Sequence, residues 1–298
     1  MNSAIRTEHL EKRFHRVEAV RDLNLDVPTG AIYALVGPNG AGKTTTIKIL
    51  MNIFPATSGR AEVLGTDSNK LAGQAFTSIG YVSENQHLPD WMRVDTFFAY
   101  LRPFYPTWDR DLENELVKQL QLPLDRKLAK LSRGMHMKVA LASALAYRPK
   151  LMVLDDPFRG AGSAVRDEVI EGLLERASEA TILVSSHDLA EIENLASHIG
   201  YLDRGCLQLS EEMTALAERF REVELTFDRP LSPKPLPVTW MQVSTSASLL
   251  RFIESRFNEE RTTADIRRSF GDVRNVTFTP MSLRSIFLAK AKTGRDSA

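Results

Sequence analysis

The sequence predicts an α/β fold in which parallel strands are covered by helices on both faces of a sheet. Three apolar runs of strand length, at 31–36, 151–156 and 181–186, each end at glycine or polar residues. Apolar residues at helical spacing over 165–174 predict a crossover helix between the last two runs. Apolar strands joined by such a helix are typical of parallel pairing inside two helical layers. A change in composition near residue 210 marks a second, smaller domain.

The N-terminal residues are expected to form short strands. Leu23, Leu25 and Val27 alternate with polar residues, which is typical of a strand with one buried face. Residues 28–30 then form a turn into the apolar run at 31–36. The next elements are expected, in order, as a helix at about 42–53, a strand at 60–65 and a strand at 78–82.

The pattern changes in the middle of the chain and predicts an inserted helical lobe at about 88–150. Leu112, Leu116 and Leu120 recur at four-residue spacing, as on the buried face of an amphipathic helix. The run at 139–147 contains small and apolar residues, which predicts a tightly packed helix. The first domain is therefore expected to span 1–211, with a mixed sheet and this lobe.

Residues 212–298 are predicted to form a small α+β domain. Residues 221–227 alternate as a strand, and four prolines within 230–237 indicate a stiff loop after it. The remaining elements are expected, in order, as a strand at 238–243, a helix near 247–257, a strand at 273–278 and a helix near 282–291.

Charge and composition narrow the classes of function. Lysine plus arginine number 38 and aspartate plus glutamate number 38, so the net charge is zero and no nucleic-acid partner is expected. The single cysteine, Cys206, builds no disulfide framework, as in a cytosolic protein. No apolar stretch is long enough for a membrane span, and the N-terminal residues contain no apolar stretch of signal-peptide length. A membrane would therefore be reached through a partner.

The strongest motif is GPNGAGKT at 37–44, which fits G-x-x-x-x-G-K-[ST] between a strand and a helix. Glycines in this pattern allow backbone N–H groups to surround phosphate oxygens at a helix N-terminus. Lys43 would reach the β- and γ-phosphates, and the Thr44 hydroxyl would bind Mg²⁺. The sequence thus predicts a P-loop nucleotide-binding domain that takes ATP and Mg²⁺. The residues expected to bind the nucleotide here are Gly37, Asn39, Gly40, Ala41, Gly42, Lys43, Thr44 and Thr45.

The second motif is LMVLDD at 151–156, an apolar run that ends at acidic residues. A strand that ends at aspartate is common and is a weak signal by itself. Combined with the loop at 37–44, it predicts that Asp155 contacts Mg²⁺ directly or through water.

Four further features accompany the loop at fixed places in the chain. The segment LSRGM lies at 131–135, His187 follows the run TILVSS, Phe14 precedes the loop, and Glu84 follows it. With the two motifs above, the chain resembles the ATP-binding subunits of ATP-binding cassette (ABC) transporters over about 3–210. LSRGM resembles the family signature LSGGQ, and His187 occupies the position of the switch histidine.

The resemblance implies a role for each of these residues. Ser132 and Gly134 would meet the γ-phosphate of a nucleotide held by an opposing subunit, so the active site is completed in a dimer. His187 would bind the γ-phosphate and the attacking water, as a catalytic residue. Phe14 would stack on adenine. Glu84, in the glutamine-loop position, would lie near Mg²⁺ as both a metal ligand and a catalytic residue.

The resemblance also implies partners and a location. ATP-binding subunits of this family form homodimers or heterodimers beneath separate polytopic membrane subunits, which places the chain in the cytoplasm, peripheral to the inner face of the cell membrane. The segment 279–292 and the lobe at 91–150 resemble exporter ATPases of the multidrug, antibiotic or lipid-linked type. Export is therefore the expected direction of transport.

Departures from the family pattern lie where hydrolysis is controlled. The residue after the metal aspartate is normally glutamate, and here it is Asp156. Its side chain has one methylene fewer, so its carboxylate lies about 1.5 Å closer to the backbone. A misplacement of about 1 Å can cost on the order of a hundredfold in rate, so we expect slow hydrolysis with Asp156 as the base. The loop at 159–162 reads RGAG in place of SGLD, and Glu84 replaces glutamine.

These departures leave other functions open. The chain could be one half of an asymmetric pair, a nucleotide-dependent regulator without useful turnover, or a soluble ABC ATPase outside transport. A nucleic-acid role for the arginines of the second domain is disfavoured, because acidic residues are interleaved with them.

Aromatic residues are concentrated at 91–108. Burial in the core of the helical lobe explains such a cluster, and so does docking of a helix from the membrane partner, with Trp91 as the preferred contact. The cluster consists of Trp91, Phe97, Phe98, Tyr100, Phe104, Tyr105 and Trp108.

Overall fold

The computed structural model describes residues 2–83, 86–160, 162–176, 179–228, 236–237, 239–246, 248–271 and 273–293, with side chains as far as Ala289. The chain divides into two compact units, Met1–Ser210 and Glu211–Ala298. Within the described residues, we find no helix that is both long and apolar enough to cross a membrane.

The first unit contains strands from two sheets and the helices that cover them. The strands are β1 (Ser3–Phe14), β2 (Val17–Leu23), β3 (Asp26–Pro28), β4 (Ile32–Val36), β5 (Ser58–Val63), β6 (Thr66–Asp67), β7 (Ile79–Ser83), β8 (Leu151–Asp155), β9 (Thr181–Ser186), β10 (His198–Asp203) and β11 (Cys206–Glu212). The helices are α1 (Lys43–Leu50), α2 (Val94–Leu101), α3 (Arg110–Gln119), α4 (Arg133–Leu145) and α5 (Ser163–Leu174).

The central sheet has the order β11-β10-β4-β9-β8-β7, with parallel pairing from β10 to β7. A separate antiparallel sheet contains β2, β1, β5 and β6, with β3 paired to β1. The first unit thus contains both parallel and antiparallel pairing, and these antiparallel pairs lie in the separate sheet. Every residue of β4, β8 and β9 is buried, as their apolar runs predict.

The carboxyl ends of the parallel strands meet at one edge of the central sheet. The register pairs Val36 with Ser186, Ser185 with Asp155, and Asp155 with Ser83. A crevice at this edge is the usual place for a ligand in an open parallel sheet. The edge therefore brings together loops that are more than 100 residues apart in sequence.

The helical lobe contains α2, α3 and α4, and the aromatic residues at 91–108 are partly buried in it and partly exposed on it. Phe97 and Phe98 are buried in the lobe, so part of the cluster is core. Trp91, Tyr100 and Phe104 are exposed by 72%, 53% and 60%. Tyr100 and Phe104 are neighbours, with ring centroids 5.4 Å apart. We call these three residues the exposed aromatic surface.

The second unit is a sheet with helices, as the predicted α+β composition requires. Its strands are β12 (Arg221–Thr226), β13 (Trp240–Ser246), β14 (Leu249–Glu254) and β15 (Asn275–Pro280), in the antiparallel order β13-β14-β12-β15. Its helices are α6 (Met213–Arg219), α7 (Glu259–Phe270) and α8 (Leu283–Thr293). The predicted proline loop lies outside the described residues, except for 236–237.

The helix predicted near 247–257 is wrong, because that segment contains β14. Leu250 and Phe252 are buried while Arg251 between them is exposed, which is the period of a strand. β14 pairs with β12 on one side and β13 on the other. Six residues are too few to distinguish the helical period of about 3.6 from the strand period of about 2 in the sequence alone. The pairing with neighbouring strands therefore decides that this segment is a strand.

Helix α7 was missed by the sequence analysis because it buries only Thr262 and Ile266. Signals at its ends were present in the sequence. Asn258 accepts a hydrogen bond from the backbone N–H of Arg261, and Gly271 follows the last turn with φ 72°. Glutamates in the first turn and arginines in the last complement the helix dipole.

Candidate active site

The loop at 37–44 connects β4 to α1 and has a backbone that only glycine accommodates at two points. Gly42 has φ 108°, and a Cβ atom there would lie 2.3 Å from the carbonyl oxygen of Ala19. A Cβ atom at Gly37 would lie 2.0 Å from the carbonyl oxygen of Leu202. The close packing of backbone on both sides fixes the loop, which can then cradle an anion at the start of α1.

Lys43 is the first residue of α1, and its ammonium group lies inside the loop. Its Nζ donates to the carbonyl oxygens of Gly37 at 2.6 Å and Pro38 at 3.1 Å. Burial lowers the pKa of Lys43, and the charges of Asp156 and Asp155 partly oppose that shift. The loop thus holds a buried cation at its centre, close to two carboxylates.

Asp155 ends β8 and is tied to both neighbouring loops. Its Oδ1 accepts hydrogen bonds from Thr44 Oγ1 at 3.0 Å and from Ser185 Oγ at 2.8 Å. Burial raises the pKa of Asp155, and the two hydroxyl donors partly offset the rise. The structure therefore places the two predicted metal ligands that it describes, Thr44 and Asp155, in direct contact.

Asp156 faces the histidine at the end of β9. His187 Nδ1 lies 3.1 Å from Asp156 Oδ1, and the Asp156 backbone N–H donates to Ser185 Oγ at 2.9 Å. Asp156 has φ 49°, a left-handed conformation that aspartate tolerates better than most residues. The side chain is buried while His187 is partly exposed. Asp156 thus orients the imidazole through its Nδ1 edge, so that Nε2 is the ring nitrogen available to a ligand.

A cleft of about 450 Å³ opens over the loop. The described residues that line it include Asp156 and the predicted loop residues from 39 to 45. Additional lining residues, which the sequence analysis did not single out, are Val17, Glu18, Ala19, Arg21, Arg159 and Arg204.

The other predicted site residues lie around this cleft. Phe14 packs edge-on against Phe54, with centroids 5.5 Å apart, and its strand partner Val17 lines the cleft. Ser132 caps α4 by accepting from the Met135 backbone N–H at 3.3 Å. Gly134, with Asp156, lines a second cavity of about 390 Å³. Glu84 lies outside the described residues.

Arg204 brings a third segment to the cleft, from the turn between β10 and β11. The Gly205 N–H donates to the Ala41 carbonyl oxygen at 2.9 Å, and the Gly205 carbonyl accepts from the Arg21 N–H at 2.8 Å. These bonds attach the turn to the phosphate loop. The residues Asp-Arg-Gly at 203–205 indicate a turn in the sequence, but its approach to a loop 160 residues earlier cannot be read there.

Replacing Arg204 by alanine is expected to weaken ATP binding roughly threefold to tenfold, because a cation lining an open cleft attracts an anionic ligand through solvent. Titration with a fluorescent ATP analogue at two salt concentrations measures the change. Arg60→Ala, an exposed arginine on β5 that pairs with Glu62, is the matched control and should leave affinity unchanged. Equal affinities of the wild type and Arg204→Ala would contradict the prediction.

Comparison with known proteins decides the family. A family model described as ABC transporter matches residues 20–159. The bacitracin transport ATP-binding protein BcrA of Bacillus licheniformis is 31% identical over 220 residues, which cover 70% of this chain and 69% of BcrA. The chain belongs to the ABC transporter ATP-binding family. The family resemblance that the motifs predict is therefore confirmed, and the chain is an ABC-type ATPase.

Two further relatives show the breadth of the family. The ABC transporter ATP-binding protein YtrB of Bacillus subtilis (strain 168) is 28% identical, over 75% of this chain and 77% of YtrB. The sulfate/thiosulfate import ATP-binding protein CysA of Escherichia coli (strain K12) is 30% identical, over 70% of this chain and 60% of CysA. Relatives named for import thus match about as well as the one named for bacitracin transport.

Solved structures confirm the ABC cassette fold. An ATP-binding subunit of an ABC transporter superposes with a TM-score of 0.66 at 23% identity, covering 72% of this chain and 92% of that chain. A dimeric bacterial ABC transporter cassette gives a TM-score of 0.62 at 23% identity, covering 70% of this chain and 98% of that chain. The predicted α/β fold class is confirmed.

Proposed function

We propose that this ABC ATPase energises export through separate polytopic membrane subunits, from a peripheral position at the cytoplasmic face of the cell membrane. The observation that carries the ATPase part is the convergence of Lys43, Asp155, Asp156 and His187 at one edge of the central sheet. The likeness to BcrA, which is named for bacitracin transport, supports a role in transport, and the resemblance of 279–292 to exporter ATPases supports export. The likeness to CysA is the reason that direction is a proposal.

In this proposal the loop residues hold the phosphates of ATP. The residues from Gly40 to Thr45 line the cleft, where their backbone N–H groups would bind the anion, and Lys43 would supply positive charge from within the loop. Gly37 and Asn39 shape the start of the loop, and Phe14 stacks on adenine beside Val17. A cleft of about 450 Å³ falls in the range of sites for molecules of this size.

The donor set at Thr44 and Asp155 fits Mg²⁺. A hydroxyl and a carboxylate oxygen, 3.0 Å apart, are hard oxygen ligands, which Mg²⁺ prefers. In the part of the chain that the structure describes, no three His, Cys, Asp or Glu side chains converge as a metal site. The ion would therefore bind together with the nucleotide, whose phosphates complete its ligands and whose charge it offsets.

Hydrolysis is assigned to Asp156 and His187. Asp156 would accept a proton from the attacking water, directly or through a second water. His187, oriented through Nδ1, would donate from its other nitrogen to the γ-phosphate. Glu84, as glutamine-loop residue, is proposed to act near Mg²⁺.

The active site is proposed to be shared between two ATP-binding subunits. Ser132 caps the N-terminus of α4, and Gly134 lies in its first turn. Neither residue lines the nucleotide cleft of its own chain; Gly134 lines the second cavity, which shares Asp156 and Arg159 with that cleft. They would therefore serve the nucleotide of a second cassette, in a homodimer or a heterodimer. The exposed aromatic surface on the helical lobe is proposed to bind the membrane subunit, because large exposed aromatics suit a helix-in-groove contact.

A nucleotide-dependent regulator with slow turnover is the second candidate. Two observations favour it. The side chain of Asp156 is shorter than the usual glutamate, and Gly162 stands where the family has an aspartate, so the N-cap of α5 has no side-chain hydrogen bond. Such a subunit would bind ATP and dimerise, and the partner cassette would supply faster hydrolysis.

Formation of the dimer with ATP tests the shared site. Light scattering after gel filtration is expected to show a monomer without nucleotide and a dimer with ATP and Mg²⁺. Ser132→Arg should abolish the dimer while leaving binding of a fluorescent ATP analogue within about twofold of wild type, because Ser132 serves the opposite nucleotide. A dimer that forms equally in Ser132→Arg would contradict the shared site.

Co-purification with the membrane proteins encoded beside its gene tests the transport proposal. The expected result is a detergent-stable complex that is lost when Trp91 is replaced by glutamate, since charge opposes burial of that surface. A chain that purifies alone from membranes containing those proteins would favour the second candidate.

A further inference from the structure

The loop that presents His187 is held by a buried carboxylate from its own chain. Glu191 lies in a 3₁₀ turn, Leu189–Glu191, four residues after His187, and it is 9% exposed. Ser186, the last residue of β9, is fully buried and donates from Oγ to Glu191 Oε2 at 2.6 Å. A short bond between two buried side chains fixes both ends of the segment that contains His187.

The same serine also fixes the backbone just beyond the histidine. The Asp188 N–H donates to Ser186 Oγ at 3.0 Å, and the Asp188 side chain accepts from the Ala190 N–H at 3.0 Å. His187 therefore lies between Ser186 and two groups that bond to this serine, the Asp188 backbone N–H and the Glu191 carboxylate. Its ring has a single described partner side chain, Asp156, whose Oδ1 lies 3.1 Å away.

Glu191 connects this segment to the helix that follows the unusual loop at 159–162. Its Oε1 lies 3.7 Å from Nη1 of Arg166, on the first turn of α5. Burial raises the pKa of Glu191, and the Ser186 hydrogen bond partly offsets the rise. Smaller contributions come from Asp188 and Asp156, which raise it, and from His187, which lowers it. The carboxylate is thus electrostatically coupled to both proposed catalytic residues without contacting either.

We propose that Glu191 is a positioning residue for ATP hydrolysis, whose bond to Ser186 holds His187 in place and whose approach to Arg166 aligns that segment with α5. The inference rests on the role proposed for His187 above. Burying the Glu191 carboxylate costs free energy. A role in holding the geometry of the reaction, in addition to a role in the fold, explains why a carboxylate stands at this position. Removing it would allow the segment to relax, and small displacements of a catalytic group are expensive.

A double-mutant cycle separates positioning from stability. Glu191→Ala is expected to lower kcat about tenfold with KM for ATP within about twofold, because Glu191 does not line the nucleotide cleft. Glu191→Gln retains an acceptor for Ser186, so its kcat should be close to that of the wild type. Ser186→Ala removes the donor of the same hydrogen bond and should lower kcat as much as Glu191→Ala does. In a His187→Ala background, Glu191→Ala should cause no further loss.

Each outcome of the cycle decides one claim. If the losses from Glu191→Ala and His187→Ala multiply in the double variant, positioning through His187 is overturned. If His187→Ala itself leaves kcat unchanged, the proposed role of His187 fails instead. Thermal melting checks that each variant folds. Glu113→Ala is the matched control, because it removes another buried carboxylate that pairs with an arginine; it should lower the melting temperature without lowering kcat. If Glu191→Ala does not fold, the Ser186→Ala and Glu191→Gln arms of the cycle carry the same decision.

Discussion

Replacing Lys43 by alanine is expected to reduce ATP hydrolysis by at least about a hundredfold and to weaken ATP binding in parallel. Lys43 Nζ is bonded to the Gly37 and Pro38 carbonyls at the centre of the phosphate loop. Its removal takes away a partly buried cation that interacts electrostatically with the carboxylates of Asp156 and Asp155. An anionic ligand would then enter a site of unbalanced negative charge, which opposes binding as well as catalysis.

Phosphate release and titration with a fluorescent ATP analogue measure the two effects of Lys43→Ala. Lys48→Ala is the matched control, because Lys48 lies on the same helix with its ammonium 5.3 Å from the centre of the Phe54 ring. That variant should retain turnover within a factor of about three, since Lys48 makes the smallest of the contributions to the pKa of Asp155 and does not line the nucleotide cleft. Substantial turnover by Lys43→Ala would remove the basis for the proposed site.

The central sheet could be predicted because its strands are buried on both faces. Strands that are buried on both faces appear in a sequence as continuous apolar runs. Such runs occur at 31–36, 151–156 and 181–186, and the structure forms β4, β8 and β9 there. The second unit has weaker patterns. β14 is short enough to fit a helix or a strand, and α7 buries too little for its period to stand out. Tertiary pairing, which sequence spacing does not show, decides such segments.

The site residues could be named from the sequence, whereas their contacts could not. The strand order β4-β9-β8 places Ser185 between the phosphate loop and Asp155, so one serine bonds to Asp155 and to the Asp156 backbone. Nothing in the run at 181–186 indicates that role. Arg204 and Glu191 were missed for the same reason, because their positions depend on a turn and a burial that exist only in the fold.

Lengthening Asp156 to glutamate is expected to raise ATP turnover about tenfold or more, if reach of the carboxylate limits hydrolysis. The added methylene extends the carboxylate by about 1.5 Å toward the cleft that Asp156 lines. The structure also predicts a cost. Asp156 has φ 49° and precedes Pro157, and glutamate tolerates a left-handed backbone less well than aspartate. A small fall in melting temperature should therefore accompany the gain in rate.

Steady-state turnover of the wild type, Asp156→Glu and Asp156→Asn distinguishes the role of reach from that of charge. Asp156→Asn keeps the shape and its hydrogen-bonding reach to His187 but removes the base, so turnover should fall to near background while ATP-dependent dimerisation persists. A fast wild type that glutamate does not improve would overturn the slow-site proposal. In that case the left-handed backbone would already place the short carboxylate correctly, and Asp156 would be the residue that this conformation requires rather than a weakened form of the family's glutamate.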